Sequence, residues 1–309
     1  MTIRSFINVV ALIGVTAALS TACTRKSLPC APGDGVTLQI LGSGGPIADD
    51  GRASTGYLLW IEGKSRVLID AGGGTFLRFG EAGADFSALD FVGLSHLHTD
   101  HSADFPALLK SGSFSDRDRP LPVAGPDGDG VFPGLRSYLH ATFNADDGAY
   151  AYLSGYLDDA SGTPMLTSRE VEGSDPAVVY MSEDLRVDAL HVPHGIVPTV
   201  AFRVTTGDQV FVFASDQNGD EPAFIDFARG ASVLVMHMVV PDGASAVARR
   251  LHAPPGVIGE IAANIGPGKL VLSHFMARSL RDLEQNVGLV QARYKGEVIL
   301  AEDLACVAP

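Results

Sequence analysis

Short apolar runs, each closed by glycine or by a polar turn, recur along most of the chain. Such runs predict strands, because strands are short, rich in aliphatic and aromatic residues, and bounded by turn residues. In the N-terminal part the pattern predicts strands at 36–41, 57–62, 66–70 and 91–94. A helix is predicted over 105–110, since Asp104 can cap it and Pro106 suits its first turn.

The same alternation returns after residue 184. Apolar runs there predict strands at 185–192, 199–205, 209–214, 233–238, 270–273 and 297–301, with helices at 257–265 and 280–292. Between the two parts, residues 111–184 are rich in Gly, Asp, Ser and Pro, with only weak helical patterns at 131–142 and 149–157. We expect a variable segment of loops over a site there. Strand-rich stretches with interspersed helices in both halves favour a layered α/β protein.

The first residues have the layout of a secretory signal peptide. Arg4 precedes an apolar run over 6–19, which is short for a membrane span and ends in small residues at 20–22. Cys23 follows directly, and its context resembles the lipobox of bacterial lipoproteins, although Ser20 stands where an apolar residue is expected. A lipoprotein anchored through Cys23, a soluble periplasmic protein and an uncleaved anchor remain open. The predicted organisation is a signal peptide (1–22), a linker (23–35) and one folded domain (36–309).

Composition indicates a globular protein with a large core, since the 309 residues are 46% apolar and 19% charged. The net charge is −14 and no run of Lys or Arg occurs, which argues against a protein that grips the phosphates of long nucleic acids. The chain has three cysteines, and an odd number in an exported protein leaves one of them without a disulfide partner in the chain. Cys30 and Cys306 lie at opposite ends of the mature chain, either as a disulfide or as two free thiols.

Four metal-binding side chains follow the predicted strand at 91–94, within the run His96-Leu97-His98-Thr99-Asp100-His101. Residues two apart in extended backbone face the same side, so His96 and His98 can bind one ion. Asp100 and His101 can reach a second ion as the chain turns toward the helix. This spacing indicates a metal site rather than a solvated loop.

The pattern His-x-His-x-Asp-His resembles the signature of the metallo-β-lactamase superfamily of binuclear metal hydrolases. The resemblance implies an αββα sandwich, in which loops at one edge of two packed sheets hold two metal ions. It also implies three further ligands, each after a predicted strand: His194, Asp216 and His274. The implied arrangement has Asp216 bridging a first ion held by His96, His98 and His194 and a second held by Asp100, His101 and His274.

Three segments are similar to the ribonuclease Z-like branch of that superfamily: 42–46 (GSGGP), 194–203 (HGIVPTVAFR) and 272–275 (LSHF). The likeness covers most of residues 36–305. It favours His194 as ligand over His191, which falls inside the predicted strand and is expected to be a core residue or a neighbour of the ligands.

The chain also departs from that branch. Only residues 204–209 separate Arg203 from Val210, which leaves no room for the protruding arm with which ribonuclease Z holds tRNA. The His-Glu-Ala-Thr element of the branch appears as His237-Met238-Val239-Val240, without its glutamate. Together with the acidic charge and the export signal, these departures argue against tRNA processing.

The resemblance implies two divalent ions, Zn²⁺ first and Mn²⁺ or Fe as alternatives. Such ions lower the pKa of a bridging water and stabilise charge on an attacked ester. Asp100 would orient the nucleophile as general base. His252 stands where similar enzymes keep a histidine near the leaving group, with His237 as the second candidate for proton donor, and Arg278 could bind a substrate oxyanion. For these last three residues, an ordinary structural role is the alternative.

The leading hypothesis is an exported binuclear hydrolase of small phosphodiesters, with cyclic nucleotides or nucleotide fragments as candidate substrates. Aryl sulfatase and lactone or β-lactam hydrolase are the alternatives on the same fold. A non-catalytic binding module would be expected to lack ligands, whereas all seven are present.

Overall fold

Two β-sheets packed face to face, with helices on both outer sides, form the structure, a computed structural model that describes residues 30–31, 33–158 and 165–309. The αββα sandwich expected from the sequence is therefore confirmed. The predicted signal peptide and Cys23 lie outside the described residues. Among the described residues, no helix combines the length and apolar character needed to cross a bilayer.

The first sheet has the strand order β14-β1-β2-β3-β4-β5-β6. Strands β1 to β3 are antiparallel, whereas β3 to β6 run parallel. Its strands are β1 (Val36–Gly42), β2 (Gly56–Ile61), β3 (Lys64–Ile69), β4 (Phe91–Gly93), β5 (Leu121–Pro126), β6 (Leu166–Val171) and β14 (Cys306–Val307).

The second sheet has the order β13-β12-β11-β10-β9-β8-β7 and the same division, with an antiparallel part (β7 to β10) and a parallel part (β10 to β13). Its strands are β7 (Ala177–Met181), β8 (Arg186–His191), β9 (Val200–Thr206), β10 (Gln209–Phe213), β11 (Val233–His237), β12 (Lys269–Ser273) and β13 (Glu297–Leu300).

Helices cover the outer faces, and short 3-10 turns occur at Phe86–Ala88 and Ala151–Tyr156. The helices are α1 (Thr75–Glu81), α2 (Thr99–Ser102), α3 (Phe105–Gly112), α4 (Leu135–Phe143), α5 (Ala223–Phe227), α6 (Ala246–Leu251), α7 (Pro255–Ile265), α8 (Ala277–Leu280) and α9 (Leu283–Arg293). Strand β2 shows why both sheet faces are apolar. Tyr57 and Leu59 pack into the core between the sheets, while Leu58 and Trp60 pack into the layer under α1 and α3.

The expectation of loops over 111–184 is wrong for much of that segment, because it contains β5, β6, β7 and α4. Strand β5 was not predicted because Pro122, Gly125 and Pro126 interrupt its apolar pattern. Helix α4 begins only at Leu135, after Pro133 and Gly134, and the weak pattern at 149–157 is a 3-10 turn. The helix predicted over 280–292 is two helices, α8 and α9.

A disulfide joins Cys30 to Cys306, with the two Cα atoms 5.4 Å apart. Of the two alternatives that the sequence left open, the structure has the bonded one. The bond ties the first described residues to β14, which pairs with β1 at the edge of the first sheet. Both ends of the described chain are therefore held to the same sheet edge.

Candidate metal centre

Seven buried or half-buried donor side chains meet at one edge of the sandwich, where loops follow β4, β8, β10 and β12. The structure brings together all the residues that the sequence singled out as ligands: His96, His98, Asp100, His101, His194, Asp216 and His274. Parallel strands carry their carboxyl ends to a common edge, which is why residues so distant in sequence converge there.

The first group consists of His96, His98 and His194, each of which offers a ring nitrogen within 4.8 Å of the others. His96 Nε2 and His98 Nδ1 are 3.0 Å apart. His194 and His96 are buried, and the ring of His98 is half-buried. Three imidazoles that face one point are a typical ligand set for a divalent transition metal.

The second group consists of Asp100, His101 and His274. His101 Nε2 and His274 Nε2 are 3.1 Å apart, and Asp100 Oδ2 is 3.2 Å from His274 Nε2. Donor atoms at these separations fit around one ion, because zinc bonds of about 2.0–2.2 Å place tetrahedral ligands a little over 3 Å apart. The donors of this group therefore also fit a metal.

Asp216 lies between the two groups. Its Oδ2 is 3.6 Å from His194 Nε2, and its Oδ1 is 3.4 Å from His274 Nε2. The carboxylate is buried and offers one oxygen to each side. This position is the one that a bridging ligand would occupy.

Partners behind the donors fix their orientation. Asp70, at the end of β3, accepts from Ser95 N at 2.7 Å and from Ser95 Oγ at 2.8 Å, and its Oδ2 is 2.8 Å from His101 Nδ1. Although burial lowers the pKa of His101, the charge and hydrogen bond of Asp70 raise it to about 9. The bond to Asp70 keeps a proton on Nδ1, and an ion would bind at Nε2 by displacing the second proton of the imidazolium. On the other side, His194 Nδ1 lies 2.8 Å from the carbonyl of Leu251.

The supporting role of Asp70 was not predicted from the sequence. The available signal was an acidic residue at the carboxyl end of an apolar strand, and β3 pairs directly with β4, which leads into the histidine motif. Gly45 has a related supporting role, because a Cβ there would lie 2.8 Å from His274 Cε1. The glycine of the GSGGP segment thus leaves room for the ring of His274.

His237 lies behind Asp216 rather than in the pocket. Its Nδ1 is 2.7 Å from Asp216 Oδ1, and its Nε2 is 3.0 Å from the hydroxyl of Tyr57. Burial lowers the pKa of His237 to about 3, against the opposing hydrogen bond to Asp216. With both nitrogens engaged and 4% of the residue exposed, His237 does not fit the proton-donor role considered from the sequence. It positions Asp216.

Three residues at strand ends adopt the left-handed backbone region that favours glycine. Asp70, Ser215 and His274 have φ angles of 61°, 58° and 57°. Each follows a buried strand. The turns at Asp70 and His274 direct their own side chains toward the centre, and the turn at Ser215 directs the side chain of the adjacent Asp216. Non-glycine residues in this region cluster at functional sites, where the surrounding structure holds them in place.

A cavity of about 470 Å³ opens above the donors, and both His252 and Arg278 line it. The rings of His252 and His194 are 5.0 Å apart, and His252 Nδ1 is buried without a hydrogen-bond partner among the described residues. Burial lowers the pKa of His252 to about 4. Arg278 is exposed, and its Nε donates to the carbonyl of Val239 at 3.1 Å. Within the described residues Arg278 forms no ion pair.

His191 lies apart from the donors and is half-buried, so it is neither the core residue nor the neighbour of the ligands that was expected from the sequence. Its Nε2 is 2.9 Å from the carbonyl of Val171 and 3.3 Å from Asp127 Oδ1. The link between β9 and β10 is a tight turn at Gly207 and Asp208, so no arm protrudes there.

Comparisons with known proteins agree with this geometry. A family model described as the beta-lactamase superfamily domain matches residues 65–275. Ribonuclease Z of Mycobacterium avium (strain 104) is 26% identical over 281 residues, which cover 87% of this chain and 96% of that protein.

Two solved structures are similar in fold. The metallo-beta-lactamase fold protein YhfI from Bacillus subtilis has a TM-score of 0.67 at 22% identity, covering 89% of this chain and 99% of that one. The short form of human tRNase Z has a TM-score of 0.67 at 21% identity, covering 88% and 98%.

Proposed function

Since the chain belongs to the beta-lactamase superfamily, in its ribonuclease Z-like branch, and is a metal-dependent hydrolase, we propose that it cleaves small phosphodiesters. The observation that carries the proposal is the convergence of seven nitrogen and oxygen donors beneath a pocket that also exposes one arginine. The ribonuclease Z relatives, named as ribonucleases, support a phosphodiester as the bond cleaved.

In the proposed centre, His96, His98 and His194 hold one divalent ion, and Asp100, His101 and His274 hold a second, with Asp216 shared. The histidine-rich donor set suits zinc, with manganese and iron as alternatives. When bound, such ions supply Lewis-acid stabilisation of charge on the phosphoryl oxygens and a lower pKa for the attacking water.

The chain's own residues supply orientation and protons. Although burial raises the pKa of Asp100, the hydrogen bond from His274 and the nearby His101 hold it at about 2, so the side chain stays a carboxylate. It can therefore accept a hydrogen bond from the attacking water and aim a lone pair at phosphorus. His252 lines the pocket beside His194, within reach of a leaving oxygen. Because burial holds its pKa at about 4, it would have to take up a proton before donating one to the leaving oxygen. Arg278 can pair with the non-bridging oxygens of the diester.

We also propose that the protein is exported, that residues 1–22 are removed as a signal peptide, and that 36–309 form the hydrolase domain after a linker over 23–35. The apolar run at 6–19 supports export, and so does the Cys30–Cys306 disulfide, since disulfides persist in oxidising compartments. Whether Cys23 carries a lipid is decided by the mass of the mature N-terminal peptide.

Long nucleic acid is not part of the proposal. The ribonuclease Z relatives argue for it, whereas the net charge of −14 and the tight turn between β9 and β10 argue against it. Filter binding of tRNA at low salt, where electrostatic attraction is strongest, tests this point directly.

Hydrolysis of bis-p-nitrophenyl phosphate by the zinc- or manganese-loaded protein tests the main proposal. p-Nitrophenyl sulfate and nitrocefin run beside it represent the alternatives, and His96→Ala is the control. We expect turnover of the diester that His96→Ala abolishes, together with two equivalents of metal in the unsubstituted protein. A loaded protein that cleaves the sulfate or nitrocefin but not the diester would overturn the phosphodiesterase proposal.

A further inference from the structure

Resting on the proposed phosphodiesterase function, we propose that the pocket selects diesters that carry a compact apolar group rather than a nucleoside. The cavity of about 470 Å³ lies within the size range of small-molecule sites. Its walls above the donors are apolar. The lining side chains of this kind are Pro46, Leu97, Val239, Leu251 and Met276.

These five side chains come from five separate parts of the chain and are fixed to the centre itself. Leu251 forms a wall with its side chain while its carbonyl lies 2.8 Å from His194 Nδ1. A Cβ on Gly195 would lie 2.7 Å from Leu251 Cδ2, so the loop after His194 packs against this leucine. Met276 packs with Val239 and Val240 in a small buried cluster beside the pocket. The side chains of the apolar wall are therefore held in fixed positions next to the donors.

Exposed apolar side chains lie close in sequence to the lining residues. Ile196 is 72% exposed two residues after His194, and Ile47 is 50% exposed next to Pro46. Val247 is 60% exposed on α6, four residues before Leu251 and hence on the same helix face. We expect these side chains to continue the apolar surface outward from the cavity.

The lining offers few groups that would hold a nucleobase. Among the described residues around this cavity, the only aromatic rings are imidazoles, and no Phe, Tyr, Trp, Asn, Gln or Lys contributes. Bases are held by stacking on aromatic side chains and by hydrogen bonds to their edges. The imidazoles belong to the donors or adjoin them and Arg278 is assigned to the phosphate, so a base beyond the phosphate would face leucine, valine and methionine.

Arg278 is the only Lys or Arg side chain in the described lining, and no hydrogen bond of its two terminal nitrogens is present within the described residues. Its guanidinium can pair with a non-bridging oxygen of the diester, beside the two ions that the proposed centre would hold. The substrate class inferred is thus a phosphodiester with a short alkyl or simple aryl substituent.

The experiment compares p-nitrophenyl phosphodiesters that share one leaving group and differ only in the other substituent. We expect kcat/KM to rise about 10-fold or more from methyl to butyl, and to be about 10-fold or more higher for butyl than for 5′-thymidyl. Met276→Gln should lower the ratio of butyl to methyl kcat/KM to within about twofold of one. Met181→Gln, at a residue that is 67% exposed on β7, is the matched control and should leave that ratio unchanged.

Equal or better cleavage of the thymidyl ester would overturn the inference while leaving the phosphodiesterase proposal intact. If no diester is cleaved, the proposed function fails, and calorimetric binding of dibutyl and dimethyl phosphate to the metal-loaded protein still decides the inference. Binding of dibutyl phosphate about 10-fold tighter or more would support the apolar wall, and equal affinity would refute it.

Discussion

Asp70 is expected to govern metal affinity although it does not face the pocket. The carboxylate is buried, accepts from Ser95 N and Ser95 Oγ, and lies 2.8 Å from His101 Nδ1. In Asp70→Asn, the amide oxygen can keep the bond from Ser95 N, but the amide nitrogen then faces Ser95 Oγ and the imidazole. His101 Nδ1 must become an acceptor, which moves the ring proton to Nε2, the atom 3.1 Å from His274 Nε2.

The magnitude follows from that tautomer. The charge-assisted bond between Asp70 and His101 is worth about 1.5–3 kcal/mol, and the variant has no equivalent of it when Nε2 binds an ion, since it must also give up the new neutral bond at Nδ1. Loss of such a partner typically weakens metal binding by about 10–100-fold. We therefore expect one of two zinc ions to be held about 10–100-fold more weakly, equivalent to about 1.4–2.8 kcal/mol.

Titration of the metal-free protein with zinc against a chromophoric chelator measures this affinity without any substrate. Asp90→Asn is the matched control, because Asp90 is also a buried aspartate and lies at the opposite end of β4, where it pairs with Arg66 and Arg119. That variant should lose stability in urea but keep both affinities. Binding of both ions by Asp70→Asn within about threefold of the unsubstituted protein would refute the reasoning, as would an equal loss in Asp90→Asn.

Three further predictions concern the proton donor, the disulfide and a surface ion pair. His252→Ala should slow hydrolysis of alkyl diesters about 100-fold or more while sparing p-nitrophenyl esters, whose leaving group needs little protonation; equal losses in steady-state assays would contradict the assignment. Cys306→Ser should lower the free energy of unfolding by about 2–4 kcal/mol, because the bond to Cys30 closes a separation of 276 residues; an unchanged urea midpoint would contradict this. The hydrogen bond from Arg66 lowers the pKa of Asp184 to about 2, so Asp184→Asn should cost about 0.5 kcal/mol at neutral pH. That difference should disappear as the pH falls from about 4 to 2 in urea unfolding, since a lowered carboxyl pKa stabilises only above that window; a constant difference would contradict it.

Local pattern was sufficient for most of the strands and for the layered α/β class, whereas the αββα sandwich was implied by the resemblance. Strands such as β10 and β12 are apolar on both faces because sheet and helices cover them, so they stand out in the sequence. Strand β6 does not, because its residues Leu166–Val171 alternate in exposure at the sheet edge and carry Arg169 and Glu170. Its position comes from pairing with β5, which no local window contains.

The same division holds for the site. The spacing of the motif predicted four of the ligands, His96, His98, Asp100 and His101. The resemblance pointed to the single residues that join them. The role of Asp70 depends on contacts with the loop after the neighbouring strand β4. That of His237 depends on contacts such as the bond to Tyr57 of the other sheet, 180 positions away. Such contacts join residues that are far apart in the sequence. Asp70 was therefore not predicted, and His237 was considered as a proton donor although it positions Asp216.

The three left-handed strand ends at Asp70, Ser215 and His274 also bear on how this protein can change. Each holds the backbone in a conformation that glycine would adopt more easily, so selection for thermal tolerance alone would favour relaxation at these positions. Asp70 and His274 cannot relax without losing a side chain of the centre, and Ser215 anchors the neighbouring Asp216. Substitutions that raise thermal stability without loss of the centre are therefore expected elsewhere in the fold. Variants selected only for thermal stability should be checked for substitutions at these three turns.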